Sequence, residues 1–137
     1  MKRYFLFLFV MVFSGFTLLD AQVVTYRTLK SSVTLNGVQG SPREDKTGRI
    51  KIDLRKKTIT ARVRSGFFRY EKDYEAKFVI DSVRKENSGD TLITVYSCHY
   101  AADAGAFVTV TDAFSKSRKL REVSFLNDNN MQKFVVK

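Results

Sequence analysis

Hydrophobic and polar residues alternate strictly in several short segments of this chain. The clearest are GRIKIDL and TITARVR, in which every second residue is apolar: Ile50, Ile52, Leu54, Ile59, Ala61 and Val63. A period of two residues is typical of strands that bury one face. Because only Arg55-Lys56-Lys57 separates the two segments, they predict a β-hairpin.

The same pattern or a high content of strand formers recurs to the end of the chain. YEAKFVI, TLITVYSCHY, AFVTVT, REVSFL and MQKFVVK are predicted strands, and VVTYRTLK and SSVTLNG supply the opening ones. We expect TLITVYSCHY to pair with AFVTVT across a bend at Asp103-Ala104-Gly105. TDAFSKSRKLRE is the segment nearest to a helical period, and we interpret it as a surface turn or irregular strand.

About eight to ten short strands joined by brief turns predict an all-β fold, either an antiparallel sandwich or a small barrel. Both lipocalin-like and jelly-roll-like arrangements fit the length, and the pattern does not distinguish them. An immunoglobulin-type domain loses support because the paired cysteines and core tryptophan are missing. The longest gap, NGVQGSPREDKTG, is predicted to be a mobile loop.

The first residues have a different pattern, with Lys2 and Arg3 followed by an apolar run from Tyr4 to Leu19 and then Ala21. A basic start, a short apolar region and a small residue before the cleavage point describe a secretory signal peptide. The run is shorter than the about 20 apolar residues of a membrane-spanning helix. We therefore predict a cleaved leader at 1–21 and a single β domain at 22–137.

The end of this leader, Leu-Asp-Ala followed by Gln22, resembles signal peptides of Bacteroidota bacteria, which are often cut before glutamine. The chain also resembles, in general character, small exported all-β proteins of these bacteria. The resemblance implies a periplasmic, outer-envelope-associated or secreted protein.

The only cysteine, Cys98, directly precedes the only histidine, His99. On a strand, neighbouring side chains point to opposite faces, so this pair should diverge rather than form a catalytic dyad. A thiol nucleophile needs a histidine on its own side, and zinc needs three or four such ligands. We therefore predict no metal and no cofactor. Cys98 is expected to be buried, with an intermolecular disulfide as the alternative.

Positive charge is the remaining chemical signal. The formal net charge is +10, and the leader contributes only Lys2, Arg3 and Asp20. The predicted hairpin concentrates this charge, and we take as candidate polyanion-binding residues Lys51, Arg55, Lys56, Lys57, Arg62 and Arg64. A two-residue loop of Lys56 and Lys57 would place Lys51 opposite Arg62, whereas a shift by two residues would place Asp53 there.

The segment RVRSGFFRY follows the hairpin and interleaves arginine with Phe67, Phe68 and Tyr70. Such a pattern suits nucleic acid or lipid headgroups, although export disfavours nucleic acid. Glu71, Asp73 and Glu75 share one parity and could form a calcium site or an acid/base pair, but interleaved lysines make a solvated face the preferred interpretation.

These observations favour a non-enzymatic binding or envelope-interaction module. Its ligand would be an apolar molecule inside the barrel, or an anionic envelope polymer or lipid headgroup on the basic hairpin. Two alternatives stay open: a hydrolase that uses Glu71, Asp73 and Glu75, and a subunit whose edge strand pairs with another envelope protein.

Overall fold

The computed structural model describes residues 22–63 and 74–137, and none of these residues is helical. They form ten strands: β1 Val23–Leu35, β2 Val38–Gln39, β3 Arg43–Glu44, β4 Arg49–Asp53, β5 Thr58–Val63, β6 Tyr74–Ser88, β7 Thr91–Tyr100, β8 Asp103–Ser115, β9 Leu120–Asn127 and β10 Asn130–Val136. The all-β prediction is confirmed. The predicted leader at 1–21 lies outside the described residues, as does the aromatic segment with Phe67, Phe68 and Tyr70.

Eight of the strands close into an antiparallel barrel. Strands β4 to β10 each pair with the next one along the chain. The first half of β1 pairs with β4 and its second half pairs with β10, which closes the ring. The register shifts between Thr28 and Lys30, where β1 changes partner. The small barrel is therefore the correct choice among the predicted architectures.

The barrel interior is filled along its middle by large apolar side chains. Phe78, Phe125 and Phe134 are completely buried. The ring centroids of Phe78 and Phe125 are 5.5 Å apart, and those of Phe125 and Phe134 are 5.9 Å apart at nearly right angles. A barrel of eight strands has room either for its own side chains or for one small ligand. Here the middle holds side chains, so an apolar ligand there would have to displace these rings.

The predicted hairpin is present as β4 and β5, with Ile50, Ile52, Ile59, Ala61 and Val63 buried inside the barrel. Both predicted registers are wrong, however. Arg49 stands opposite Arg62, and Asp53 stands opposite Thr58. The turn therefore contains four residues, 54–57.

The Asp53 side chain explains this longer turn. Its Oδ1 accepts hydrogen bonds from the backbone N–H groups of Arg55 at 3.0 Å and Lys56 at 3.1 Å. Lys57 then closes the turn in a left-handed conformation, with a φ of 53°. Asp side chains commonly bond the backbone that follows them in turns.

The predicted loop NGVQGSPREDKTG contains a tight turn and two short strands, β2 and β3. Asn36 and Gly37 both have positive φ, as a type I′ hairpin turn requires, and this turn joins β1 to β2. Strand β3 then returns along β1. Asp45 is buried, and Gly48 lies so close to Thr28 that a Cβ atom would fall 2.4 Å from its hydroxyl oxygen. The segment therefore packs along the barrel wall.

The pairing of β7 with β8 is as predicted, but the turn lies at Ala101-Ala102 and Asp103 already belongs to β8. In TDAFSKSRKLRE, β8 continues to Ser115, residues 116–119 form a turn and β9 begins at Leu120. Within residues 22–63 and 74–137, no helix is long and apolar enough to cross a membrane.

Candidate functional site

Cys98 and His99 lie on opposite faces of β7, as the sequence predicts. Cys98 points into the barrel and is buried. Burial, with a smaller effect of the Asp81 charge, raises the pKa of its thiol to about 12. A thiol in this state is a poor nucleophile at neutral pH.

His99 points outward and has a partner that sequence reasoning missed. Its Nδ1 lies 3.0 and 2.9 Å from the two carboxylate oxygens of Asp81. An ionised carboxylate only accepts hydrogen bonds, so Nδ1 carries the hydrogen. A register shift between Ile80 and Ser82 turns Asp81 toward His99, and the strand pattern gives no signal for such a bulge. Among the described side chains, none hydrogen-bonds the other ring nitrogen of His99.

The candidate basic residues of the hairpin are all exposed where they are described. Lys51 and Arg62 project from the outer face of β4 and β5, and Arg55, Lys56 and Lys57 form the turn between them. Arg64 lies outside the described residues. The structure therefore brings five of the six predicted residues onto one hairpin.

A second basic turn lies at the same end of the barrel. Strands β4, β6 and β8 run in the same direction along the barrel axis, so the turns that follow them lie at the same end of the barrel. The turn after β8 contains Lys116, Arg118 and Lys119, all exposed. We call this end, with turns 54–57, 89–90 and 116–119, the basic end. Sequence reasoning missed the second turn because barrel closure is what places both turns at the same end.

The cations in these two turns are largely uncompensated. Among the described residues, the one acidic partner within 4 Å is Asp53, whose Oδ1 lies 3.9 Å from Arg55 Nε. Asp90, in the turn between β6 and β7, accepts hydrogen bonds rather than an ion pair. The basic end therefore presents six exposed cations (Arg55, Lys56, Lys57, Lys116, Arg118 and Lys119) to the solvent.

Three arginines extend this charge along the outer wall. Arg27 of β1 stands opposite Arg49 of β4, and Arg49 stands opposite Arg62 of β5. All three side chains are exposed. Directly opposed residues have Cβ atoms about 4.5–5.5 Å apart, and like charges at that distance destabilise the pairing. On the other side of β5, Arg62 stands opposite the acidic Glu75 of β6, so the row of opposed arginines stops there.

A polar cluster faces inward at the basic end. Tyr26 Oη donates a hydrogen bond of 2.8 Å to Asp112 Oδ2, and Arg121 Nη1 donates to Asp112 Oδ1 at 2.7 Å and to Tyr26 Oη at 2.8 Å. The Arg121 guanidinium lies 4.9 Å from the ring centroids of both Tyr26 and Phe114. Three separate strands contribute these groups, so the cluster is invisible in the sequence pattern.

The two tyrosines near Asp112 remain protonated at neutral pH. Burial, followed by the Asp112 charge, raises the pKa of Tyr26 well above its ordinary value and raises the pKa of Tyr96 to about 12. Tyr26 can therefore donate to Asp112 while accepting from Arg121. Arg121, Asp112 and the neutral phenol of Tyr26 are thus joined to one another by three hydrogen bonds.

The predicted carboxylate set is only partly described. Glu75 is exposed on the outer face of β6, whereas Glu71 and Asp73 lie outside the described residues. Within the part of the chain that the structure describes, no group of three or more His, Cys, Asp or Glu side chains could hold a metal ion. No protein-family model, curated protein or solved structure matches this chain.

Proposed function

We propose that the protein is a non-enzymatic binding module that attaches to anionic surfaces of the cell envelope. The observation that carries this proposal is the convergence of two basic turns, residues 54–57 and 116–119, at one end of a closed barrel. Clustered cations with few acidic partners raise the local concentration of polyanions and speed their association. The ligand chemistry is a repeated phosphate or carboxylate group, as on lipid headgroups and acidic polysaccharides.

The arginine row supports the same proposal. Opposed arginines weaken strand pairing, so their presence on three neighbouring strands fits a surface that is stabilised when an anion binds. Arginine also suits this task because its planar guanidinium forms bidentate hydrogen bonds with carboxylate and phosphate groups. The wall of Arg27, Arg49 and Arg62 would extend the contact from the basic end along the barrel side.

Retention on an alginate column and binding to phosphatidylglycerol vesicles test this function. The triple variant Arg55→Gln, Lys56→Gln, Lys57→Asn removes three cations, and asparagine suits the left-handed backbone at position 57. We expect it to elute at lower salt than the unchanged protein and to bind the vesicles more weakly.

A charge-matched control separates the site from net charge. Lys30, Lys46 and Lys133 are also cations, and the last two form ion pairs with Glu44 and Glu122. The variant Lys30→Gln, Lys46→Gln, Lys133→Gln should keep most of the retention. Equal losses of retention in the two variants would show that binding depends only on net charge, which would contradict a localised site. Polysaccharide and vesicle results together distinguish the two sources of the anion.

A second candidate function rests on the free edge of β6. Strand β5 pairs with β6 only over Tyr74–Val79, so residues 81–88 have no described strand on that side. Such an edge can accept a strand from a partner. The edge carries Arg84, Lys85 and Glu86 in succession, and charged residues oppose edge pairing, which places this candidate second. Light scattering over a range of protein concentrations should show association if it is correct, and a monomer throughout would exclude self-pairing.

A further inference from the structure

The inward-facing cluster at the basic end opens to the solvent through a gap in the barrel wall. Strand β6 continues past the end of its pairing with β5, so the wall is lower on the β4–β5 side. Val83 and Leu92 share the inward face with Tyr96 and Phe114, yet they are 44% and 43% exposed. We call the inward-facing side chains Tyr26, Leu92, Asp112, Phe114 and Arg121 the mouth. Lys85 and Asn87 of β6 share this face, opposite Thr94 and Leu92.

Arg121 has unused hydrogen-bonding capacity in the mouth. Its Nη1 donates to Asp112 and Tyr26, and its Cζ lies 4.9 Å from the ring centroids of Tyr26 and Phe114. Its Nη2 and Nε have no hydrogen-bond partner among the described residues, and its side chain remains 32% exposed. A guanidinium held in this way offers an open edge of two parallel N–H groups, which matches a carboxylate.

An apolar track leads away from this edge. Leu92, Phe114 and Arg121 stand opposite one another on β7, β8 and β9. Neighbouring strands are about 4.8 Å apart, so Leu92 lies about 10 Å from Arg121 across the Phe114 ring. A ligand whose head lies on Arg121 would place its chain on Phe114 and Leu92.

We propose that the mouth binds a small amphiphile with a carboxylate head and an apolar chain. The carboxylate pairs with the open edge of Arg121, and the chain covers Phe114 and Leu92. Asp112 already contributes one negative charge beside Arg121, which disfavours a dianionic phosphate monoester. The site is separate from the outer cations of the proposed function and does not rest on them.

Isothermal titration with dodecanoate below its micelle concentration tests this site. We expect one bound molecule per chain, and binding at least about tenfold weaker in Arg121→Met, as for the loss of a charge-assisted bidentate contact. Dodecanol, which lacks the charge, should bind the unchanged protein weakly and should not respond to this substitution. Dodecyl phosphate should bind less tightly than dodecanoate.

Further variants keep the test decisive if Arg121→Met fails to fold after losing the partner of Asp112. Leu92→Asp leaves the Arg121 contacts intact, and its negative charge in the chain path should weaken dodecanoate binding. Arg84→Met removes a cation from the outer face of β6 and should leave the affinity unchanged. Equal binding of dodecanoate and dodecanol, tighter binding of dodecyl phosphate, or unchanged affinity in Leu92→Asp would overturn the proposal.

Discussion

The reactivity of single residues in this barrel depends on which face of the sheet they occupy. Cys98 and His99 are neighbours in sequence, but one lies in the core and the other bonds Asp81 on the outside. Inside, burial suppresses ionisation, as the raised pKa values of Cys98 and Tyr96 show. Outside, Arg27, Arg49 and Arg62 stand directly opposite one another in the strand register. Cys98 and Tyr96 are therefore held neutral in the core, and the arginine charges lie on the surface.

The Cys98 thiol should be protected from reagents in the folded protein. With a pKa of about 12, it is almost entirely protonated at pH 8, and the barrel wall blocks access. We expect little reaction with a disulfide reagent such as Ellman's reagent in buffer and complete reaction of one thiol in concentrated guanidinium. Rapid reaction under native conditions, or a disulfide-linked dimer on a nonreducing gel, would contradict the buried position.

The substitution Arg49→Thr should raise stability while weakening anion binding. Arg49 faces Arg27 on one side and Arg62 on the other, so its removal relieves two repulsions, each worth about 0.2–1 kcal/mol. Threonine also suits a strand. We expect a higher urea midpoint at low salt and a smaller gain at high salt, because screening weakens the repulsion. A lower midpoint at low salt would show that the arginine row stabilises the barrel.

At the scale of elements, carboxylates hold the turns at the basic end in place. Asp53 caps its own turn. Asp90, between β6 and β7, reaches the next turn at this end and accepts hydrogen bonds from the Ser117 N–H at 3.0 Å and from the Ser115 and Ser117 hydroxyls. The Ser117 bonds hold the pKa of Asp90 below its usual value. Asp90, in the turn between β6 and β7, thus holds the basic turn 116–119 in position.

The substitution Asp90→Asn should lower stability at neutral pH. A carboxyl group whose pKa is depressed on folding adds stability above the unfolded pKa of about 3.9, and this contribution is lost as the pH falls through the folded pKa. We therefore expect the urea midpoint of the variant to lie below that of the unchanged protein at pH 7 and to approach it near pH 3. A difference that persists at low pH would assign the effect to packing instead.

The alternation of apolar residues was sufficient to predict the strands, because one buried face per strand leaves a period of two in the sequence. The buried apolar residues of β4 and β5 follow it, whereas Asp53 at the end of β4 departs from the alternation because it is buried too. The register of that hairpin was not predictable in the same way, since it depends on the Asp53 side chain and on the positive φ of Lys57. Pairings between distant strands, such as Tyr26 with Asp112, depend on barrel closure and leave no local signal.

At the scale of the whole molecule, closure of the sheet determines where the charge lies. The turns after β4 and β8 are far apart in sequence but lie at one end of the ring, and six exposed cations result. The aromatic core of Phe78, Phe125 and Phe134 fills the middle of the barrel. Among the described residues, the exposed cations therefore lie on the outer face and at the basic end.

The most direct test of anion binding through the basic end is the salt dependence of affinity for alginate. For a polyanion, the logarithm of the binding constant falls with the logarithm of salt concentration, with a slope of about 0.7–0.9 per neutralised charge. If the basic end makes the contact, the variant Arg55→Gln, Lys56→Gln, Lys57→Asn should lower this slope by about 2 to 3. The control Lys30→Gln, Lys46→Gln, Lys133→Gln should leave the slope nearly unchanged. Equal slopes for the unchanged protein and the turn variant would contradict the account.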